Sequence, residues 1–325
     1  MNVFITRRIP DAGLRLLEDA GCSITVHTEK TNLMPEQLIS ACREQDAMLN
    51  AGPNKMDRRF LEASSHLKAI ALMSVGYDNV DIPEATRLGI PVSNTPGVLS
   101  RATADTAFLL LLAASRKAFY LHKTIAKGEW GFFEPTANLG VELWGKTLGI
   151  FGLGKIGFEM AKRCAGAYQM KIIYHNRQQN AEAEEKLNAV QVSFDELLAQ
   201  SDVLSVHSAL TPETIGLFDK KVFSRMKPSA IFINTARGAI HNEKDLIAAL
   251  QQGTIWGAGL DVTNPEPMAP GNPLLEMQNV AVLPHIGSAT HETRDAMAVI
   301  AAQNVLAGLR GEPLPNIINP SIYTR

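Results

Sequence analysis

Thr147 to Gly157, TLGIFGLGKIG, constrains this chain more than any other stretch. Leu148 to Phe151 is a short apolar run that meets glycines at 152, 154 and 157, and an apolar stripe continues through Phe158, Met160, Ala161 and Cys164. The pattern predicts strand, tight turn and helix. Each glycine has a physical reason there: Gly152 admits the turn, Gly154 lets backbone approach a pyrophosphate, and Gly157 lets helix pack on strand. The helix N-terminus offers unpaired N–H groups and a positive dipole end to phosphates. A second strand, Lys171 to Tyr174, follows, so the motif has the context of a dinucleotide site, with Leu153, Lys155 and Ile156 completing it.

The chain before this motif alternates strand and helix. Strands are expected at Asn2–Ile5, Ser23–His27, Ala47–Leu49, Leu67–Met73 and Ile90–Asn94, and helices at Asp11–Ala20, Pro35–Cys42 and Asp57–Ala63. The alternation implies a small parallel α/β domain. Val75-Gly76 reads either as a plain turn after a strand or as exposed N–H groups able to hold a substrate carboxylate. After the break at Thr95-Pro96-Gly97, Ser100–Lys127 reads as one long helix with Ser100 as its N-cap. Its apolar middle is wider than one face, which predicts burial between domains or subunits. The following loop carries Trp130, Phe132 and Phe133, suited to a subunit contact or to domain packing.

A second α/β series starts at Thr147, with strands expected at 148–151, 171–174, 190–192, 203–207, 230–234, 256–261 and 280–283. Helices are expected at Phe194–Gln200 and Asn242–Gln251, and His291–Leu309 reads as a long amphipathic helix docked on the first domain. The chain would then cross between domains near 98 and near 290.

Composition narrows the function classes. The formal net charge is −2 over 325 residues, and no long Lys/Arg block occurs, which argues against nucleic acid or an anionic membrane as partner. The longest apolar run, Ala107–Ala114, is too short to span a bilayer, and the N-terminus reads as a strand rather than a leader. Cys22, Cys42 and Cys164 are odd in number and lack metal-like spacing, so reduced thiols in a cytoplasmic protein are expected. The histidines show no paired-ligand spacing, so no metal role is expected.

Three late strands end in charged or titratable residues. Thr235-Ala236-Arg237-Gly238 follows one, Asp261 and then Glu266 follow the next, and Pro284-His285-Ile286-Gly287-Ser288 follows the last. In an open doubly wound sheet ligands sit beyond the carboxyl ends of the strands, so these residues converge on the edge that carries the glycine turn.

With these motifs, the chain resembles the D-isomer-specific 2-hydroxyacid dehydrogenases over essentially its whole length. The carrying runs are GLGKIG at 152–157, NTARG at 234–238, GLDVTNPEP at 259–267 and PHIGSAT at 284–290, supported by SVGYDNVD at 74–81 and ATAD at 102–105. Within the family it is most similar to glyoxylate/hydroxypyruvate reductases and 2-ketogluconate reductases, with HIGSATHETR at 285–294 a strong reason. The resemblance implies two doubly wound parallel-sheet domains: a Rossmann-like nucleotide-binding domain over 99–289, and a flavodoxin-like substrate domain from 1–98 plus 290–325. It implies that Arg237 binds the 2-oxo acid, that His285 protonates the carbonyl oxygen, and that Glu266 pairs with the imidazole and stabilises its protonated form. It further implies that Val75 and Gly76 cradle the substrate carboxylate, that Ser288 is a weaker substrate contact, that Asp261 meets the nicotinamide carboxamide, and that Thr235 and Ala236 line the cofactor. Family members are usually homodimers, so a homodimer is expected.

The choice of cofactor is argued from residues. NAD-binding folds of this kind place a carboxylate after the second strand to hold the ribose 2′-OH. Here that position is His175, followed by Asn176 and Arg177, with no acid until Glu182. A missing carboxylate beside an Arg favours a 2′-phosphate, hence NADPH over NADH. The expected activity is NADPH-dependent reduction of small 2-oxo acids, glyoxylate and hydroxypyruvate with 2-ketogluconate as a further candidate, to D-2-hydroxy acids. The alternatives are an NAD-linked member of other substrate range, such as a phosphoglycerate dehydrogenase, and a nucleotide-sensing binding protein on the same scaffold.

Overall fold

The computed structural model describes residues 1–324; Arg325, the last residue of the expected 290–325 segment, lies outside them. In chain order the elements are β1 (Asn2–Ile5), α1 (Asp11–Asp19), β2 (Ser23–Val26), α2 (Pro35–Cys42), β3 (Ala47–Asn50), α3 (Arg58–Ala63), β4 (Ile70–Leu72), α4 (Ile82–Leu88) and β5 (Val92–Ser93). There follow α5 (Ser100–Ser115), α6 (Ala118–Ala126), β6 (Thr147–Phe151), α7 (Lys155–Tyr168), β7 (Lys171–His175), α8 (Ala181–Leu187), β8 (Val190–Gln191), α9 (Phe194–Gln200) and β9 (Val203–Val206). The chain ends with α10 (Lys220–Phe223), β10 (Ile231–Asn234), α11 (Glu243–Gln251), β11 (Gly257–Leu260), β12 (Val280–Val282) and α12 (His291–Leu309).

The chain forms two compact units, Met1–Leu99 with Ala289–Arg325 and Ser100–Ser288. The first holds a parallel sheet in the order β2-β1-β3-β4-β5, the doubly wound order of flavodoxin. α12 belongs to this unit and packs on α1, β3 and β4. A Cβ at Gly13 of α1 would lie 2.7 Å from the Ala298 carbonyl oxygen, so the two helices meet at a spacing no side chain allows. Residues 304–309 of α12 are all buried, so its last turns are enclosed rather than amphipathic as the sequence led us to expect. The C-terminal tail is fixed to β5, where Asn319 accepts from the Val92 N–H at 3.0 Å and donates to the Ile90 carbonyl at 2.9 Å.

The second unit holds a seven-stranded parallel sheet, β12-β11-β10-β9-β6-β7-β8. Its first strand, β6, lies between β7 and β9, so chain direction across the sheet reverses between β6 and β9. That point is where open α/β sheets place a ligand. α5 covers the sheet against β10, β11 and β12 and also packs on α7.

The expected single helix over Ser100–Lys127 is two helices. Lys117 takes the left-handed conformation at φ 55° and breaks the path without a Gly or Pro. α5 is buried within its own unit, with Leu109 among its exposed residues, whereas α6 has no buried residue. The apolar width of the segment is therefore satisfied by the unit's own core over α5, and does not by itself demand a partner. α4 was not among the sequence expectations, although Asp81 caps it through the Glu84 N–H and Gly89 ends it at φ 75°.

Candidate active site

Gly152 ends β6 at φ 93°, and a Cβ there would lie 2.6 Å from the Ser208 nitrogen in the loop after β9. Only glycine fits both conditions. At Gly157 a Cβ would stand 2.9 Å from the Gly152 oxygen and 3.0 Å from Cγ2 of Ile150, so α7 starts hard against the turn. At Gly154 no heavy atom lies within 4 Å of where a Cβ would be, so backbone here faces open space. The first N–H groups of α7, on Lys155 and Ile156, have no partner inside a helix and suit a phosphate. The residues present therefore fit a dinucleotide diphosphate.

Leu153 of the glycine motif and Asn176, one residue past β7, bond each other. Leu153 is 2 % exposed, and its N–H donates to Oδ1 of Asn176 at 2.7 Å. Nδ2 of Asn176 returns to the Leu153 carbonyl at 3.2 Å. Asn176 thus braces the turn, and Leu153 is its anchor.

At the end of β7 the His175 ring stacks on Phe151 with centroids 5.9 Å apart, and its Nδ1 donates to the Val192 carbonyl at 3.0 Å. Arg177 is exposed and makes no hydrogen bond or ion pair among the described residues. Glu213, on the loop after β9, lies near enough to feel its charge. A hydrogen bond from Thr211 holds the Glu213 carboxyl below its ordinary range, and Arg177 adds to this more weakly. The first acid after β7, Glu182, is paired with Lys186 at 2.7 Å along α8. No carboxylate takes the place of a ribose anchor.

Arg237, Glu266 and His285 follow the carboxyl ends of β10, β11 and β12, on three loops each in contact with the next. A Cβ at Gly238 would be 1.9 Å from the Thr263 oxygen, so the Arg237 turn lies directly on the loop that carries Glu266. The Asp261 carboxylate accepts the N–H groups of Ile286 and Gly287, each at 2.7 Å, and so ties the loop after β11 to the loop after β12. Burial raises the Asp261 carboxyl above its ordinary range against the pull of those two bonds. Asp261 thereby holds the His285 loop, with both oxygens engaged by backbone.

His285 is left-handed at φ 54°, an uncommon conformation for a residue with a Cβ. Its Nδ1 meets Oε1 of Glu266 at 2.6 Å. Burial alone would raise the Glu266 carboxyl, but the hydrogen bond and charge of His285 outweigh it and hold the group below its ordinary range. With Nδ1 engaged, Nε2 is the nitrogen available to a ligand. Arg237 is half-buried, and its NH1 donates to the Ala236 carbonyl at 2.8 Å. Ser288 is half-buried two residues beyond Ile286.

The turn that presents Arg237 is built on Asn234 and His241, to which the sequence assigns no role at the site. Asn234 accepts from the Ala236 N–H at 2.9 Å, donates to the Arg237 carbonyl at 2.9 Å, and donates to Nδ1 of the fully buried His241 at 3.0 Å. Burial pushes His241 down to about 4, so it is neutral and accepts at Nδ1. Thr235 lies 3.4 Å from Nδ1 of His207, whose Nε2 meets Ser205 at 2.8 Å. These pairings join residues distant in sequence and carry no periodic signal.

In the first unit, the loop after β4 contains Val75 and Gly76. Ser74 donates to the Gly76 carbonyl at 2.7 Å and Asn94 to the Val75 carbonyl at 2.8 Å. Both carbonyls are fixed, and the two N–H groups have no acceptor among the described residues. Also among the described residues, no group of three His, Cys, Asp or Glu is placed to hold a metal, and no helix is long and apolar enough to cross a membrane.

Residues 108–287 match the model of the D-isomer specific 2-hydroxyacid dehydrogenase, NAD binding domain. The chain is 45% identical to a glyoxylate reductase of Thermococcus litoralis, covering 99% of this chain and 98% of the relative. It is 41% identical to the human glyoxylate reductase/hydroxypyruvate reductase, covering 97% of each. Among solved structures it is similar to an NADPH-dependent glyoxylate/hydroxypyruvate reductase of Sinorhizobium meliloti in complex with NADP and malonate. That likeness has a TM-score of 0.84 at 31% identity, and covers 98% of this chain and 96% of the other.

Proposed function

The chain belongs to the D-isomer-specific 2-hydroxyacid dehydrogenases, and we propose that within this family it is an NADPH-dependent reductase of glyoxylate and hydroxypyruvate, with a range extending to 2-ketogluconate. The observation that carries the reading is the 2.6 Å pairing of His285 with Glu266 on the sheet edge that also presents Arg237 and the glycine turn. The Arg237 guanidinium is suited to bind the carboxylate and carbonyl oxygen of a 2-oxo acid through its planar fork. Glu266 fixes the imidazole orientation and stabilises the imidazolium, so that Nε2 of His285 hands a proton to the carbonyl oxygen. A bound nicotinamide supplies the hydride. The N–H groups of Val75 and Gly76 are assigned to the substrate carboxylate, and Ser288 to a weaker substrate contact. Thr235 and Ala236 line the cofactor.

NADPH is favoured by Arg177 and by the absence of an acid between His175 and Asn180. The names of the Thermococcus, human and Sinorhizobium relatives support the substrates, and that of the last supports the cofactor. Three free cysteines suit a cytoplasmic enzyme. We assign a symmetric homodimer, because Ile125, Trp130, Phe132, Phe133, Leu139 and Trp144 leave a run of exposed large apolar side chains on and after α6. Sedimentation at micromolar concentration should give twice the chain mass; a monomer contradicts the assignment.

Steady-state turnover with glyoxylate, hydroxypyruvate and 2-ketogluconate, each with NADPH and NADH, tests the function. Turnover of the first two with NADPH at the higher kcat/KM is expected. Cofactor binding without turnover of any of the three favours a nucleotide-sensing protein instead.

A further inference from the structure

The loop between β7 and α8 is fastened at both ends to one residue of the diphosphate turn. At its start, Asn176 bonds both the N–H and the carbonyl of Leu153, at 2.7 and 3.2 Å. At its end, Nδ2 of Asn180 donates to the same carbonyl at 2.9 Å. Only Arg177, Gln178 and Gln179 lie between the two amides.

The far end is anchored again from the core. The Asn180 N–H donates to the hydroxyl of buried Tyr174 at 2.9 Å, and that hydroxyl donates to Glu184 at 2.7 Å. Glu184 also accepts from Gln179 at 2.5 Å, and Gln191 donates to the Asn176 carbonyl at 3.0 Å. Asn180 has a second task, as the N-cap of α8 through the Ala183 N–H at 3.1 Å.

We infer that Asn180, acting with Asn176 as a two-amide clamp on Leu153, is a positioning residue that sets the distance between Arg177 and the diphosphate turn and so determines selectivity for the 2′-phosphate. The inference rests on the reading of Arg177 as the 2′-phosphate contact. Diphosphate and 2′-phosphate hang from one adenosine ribose, so their spacing is fixed by the ligand. A loop held to the matching spacing pays less ordering entropy when the cofactor binds. The same loop released at one end would still carry the Arg177 charge, but would have to order it.

The two tasks of Asn180 can be separated by substitution. Serine retains an N-cap oxygen but is too short to donate to Leu153, whereas alanine loses both. The probe is binding of NADPH and of NADH, followed by dihydronicotinamide fluorescence without substrate, in the unmodified protein, Asn180→Ala, Asn180→Ser, Arg177→Ala and Asn180→Ser/Arg177→Ala. Asn180→Ser should lose less of the thermal midpoint than Asn180→Ala, since it keeps the cap, and weaken NADPH by roughly 3–10-fold, the scale of one hydrogen bond. It should weaken NADH less, so that the NADPH:NADH affinity ratio falls. With Arg177 already removed, the same substitution should change NADPH affinity by less than about twofold, because the residue it positions is gone.

Recovery of both stability and NADPH affinity in Asn180→Ser would make Asn180 a helix cap only and overturn the inference. An undiminished effect of Asn180→Ser in the Arg177→Ala background would also overturn it, leaving the 2′-phosphate reading intact. Failure of that reading itself shows separately, as an unchanged NADPH:NADH ratio in Arg177→Ala alone.

Discussion

Two corners of one sheet edge hold their key side chains in opposite ways. His285, beyond β12, is locked: Glu266 takes its Nδ1 at 2.6 Å, Asp261 binds the next two N–H groups, and the Arg237 turn rests on the Glu266 loop. Arg177, beyond β7, has an unengaged side chain on a loop whose backbone is clamped. The contrast is the one that the two proposed tasks require. A group that delivers a proton has to keep one tautomer and one orientation before substrate arrives. A group that recognises a phosphate has to leave its donors unfilled until the phosphate fills them, while the ordering cost is met by the loop beneath it.

The largest expected effect falls on the locked corner. His285→Ala should lower kcat by roughly 10²–10⁴-fold, the usual range for a general acid, and leave NADPH affinity nearly unchanged. Stopped-flow rates and cofactor titration on the same preparation separate the two. A matching loss of cofactor affinity would mean that the corners are not distinct.

Next comes the open corner. A charge-assisted hydrogen bond is worth about 1.5–3 kcal/mol, so Arg177→Ala should cut kcat/KM for NADPH by roughly 10–150-fold. NADH, which has no 2′-phosphate, should be almost unaffected. Equal losses for both cofactors would make Arg177 a structural residue.

Most of the architecture was legible in sequence because it rests on local signals. The glycine turn, the seven strands of the second unit and α12 all follow from apolar runs punctuated by Gly, Pro and capping residues. The break between α5 and α6 was not legible, because Lys117 adopts φ 55° in a run of good helix formers. The site divides along the same line. His285, Glu266 and Arg237 stand out as titratable residues placed just after strands. The clamp on Leu153 spans 23 and 27 positions, and the His241–Asn234 contact depends on a turn folding back, so neither leaves a pattern in the chain. Nor does the sequence show that the Asn176 amide faces the turn.

A smaller effect sharpens the account of the locked corner. The proposed role of His285 needs its ring held in one orientation, and Glu266 holds it at Nδ1. Glu266→Gln replaces that charge-assisted hydrogen bond with a neutral one, so kcat should fall by roughly 10-fold while NADPH affinity stays nearly unchanged. Stopped-flow rates equal to those of the unmodified protein would refute the pairing.

The smallest effect concerns stability behind the same corner. Burial holds His241 down to about 4, below the 6.5 of an exposed histidine. Between these values the unfolded chain binds the extra proton, so stability falls as pH falls through that window, by up to about 1.4 kcal/mol per pH unit for this one group. Urea midpoints between pH 6.5 and 5 should drop less steeply in His241→Val than in the unmodified protein. Identical slopes would show that His241 is not held neutral.

The separation of chemistry from cofactor choice is tested most directly by the ratio of kcat/KM for NADPH to that for NADH, with glyoxylate as substrate, in the unmodified protein, His285→Ala and Arg177→Ala. The account predicts a ratio well above one in the unmodified protein, the same ratio in His285→Ala despite its far lower rates, and a ratio near one in Arg177→Ala. A ratio that shifts in His285→Ala, or survives in Arg177→Ala, would contradict it.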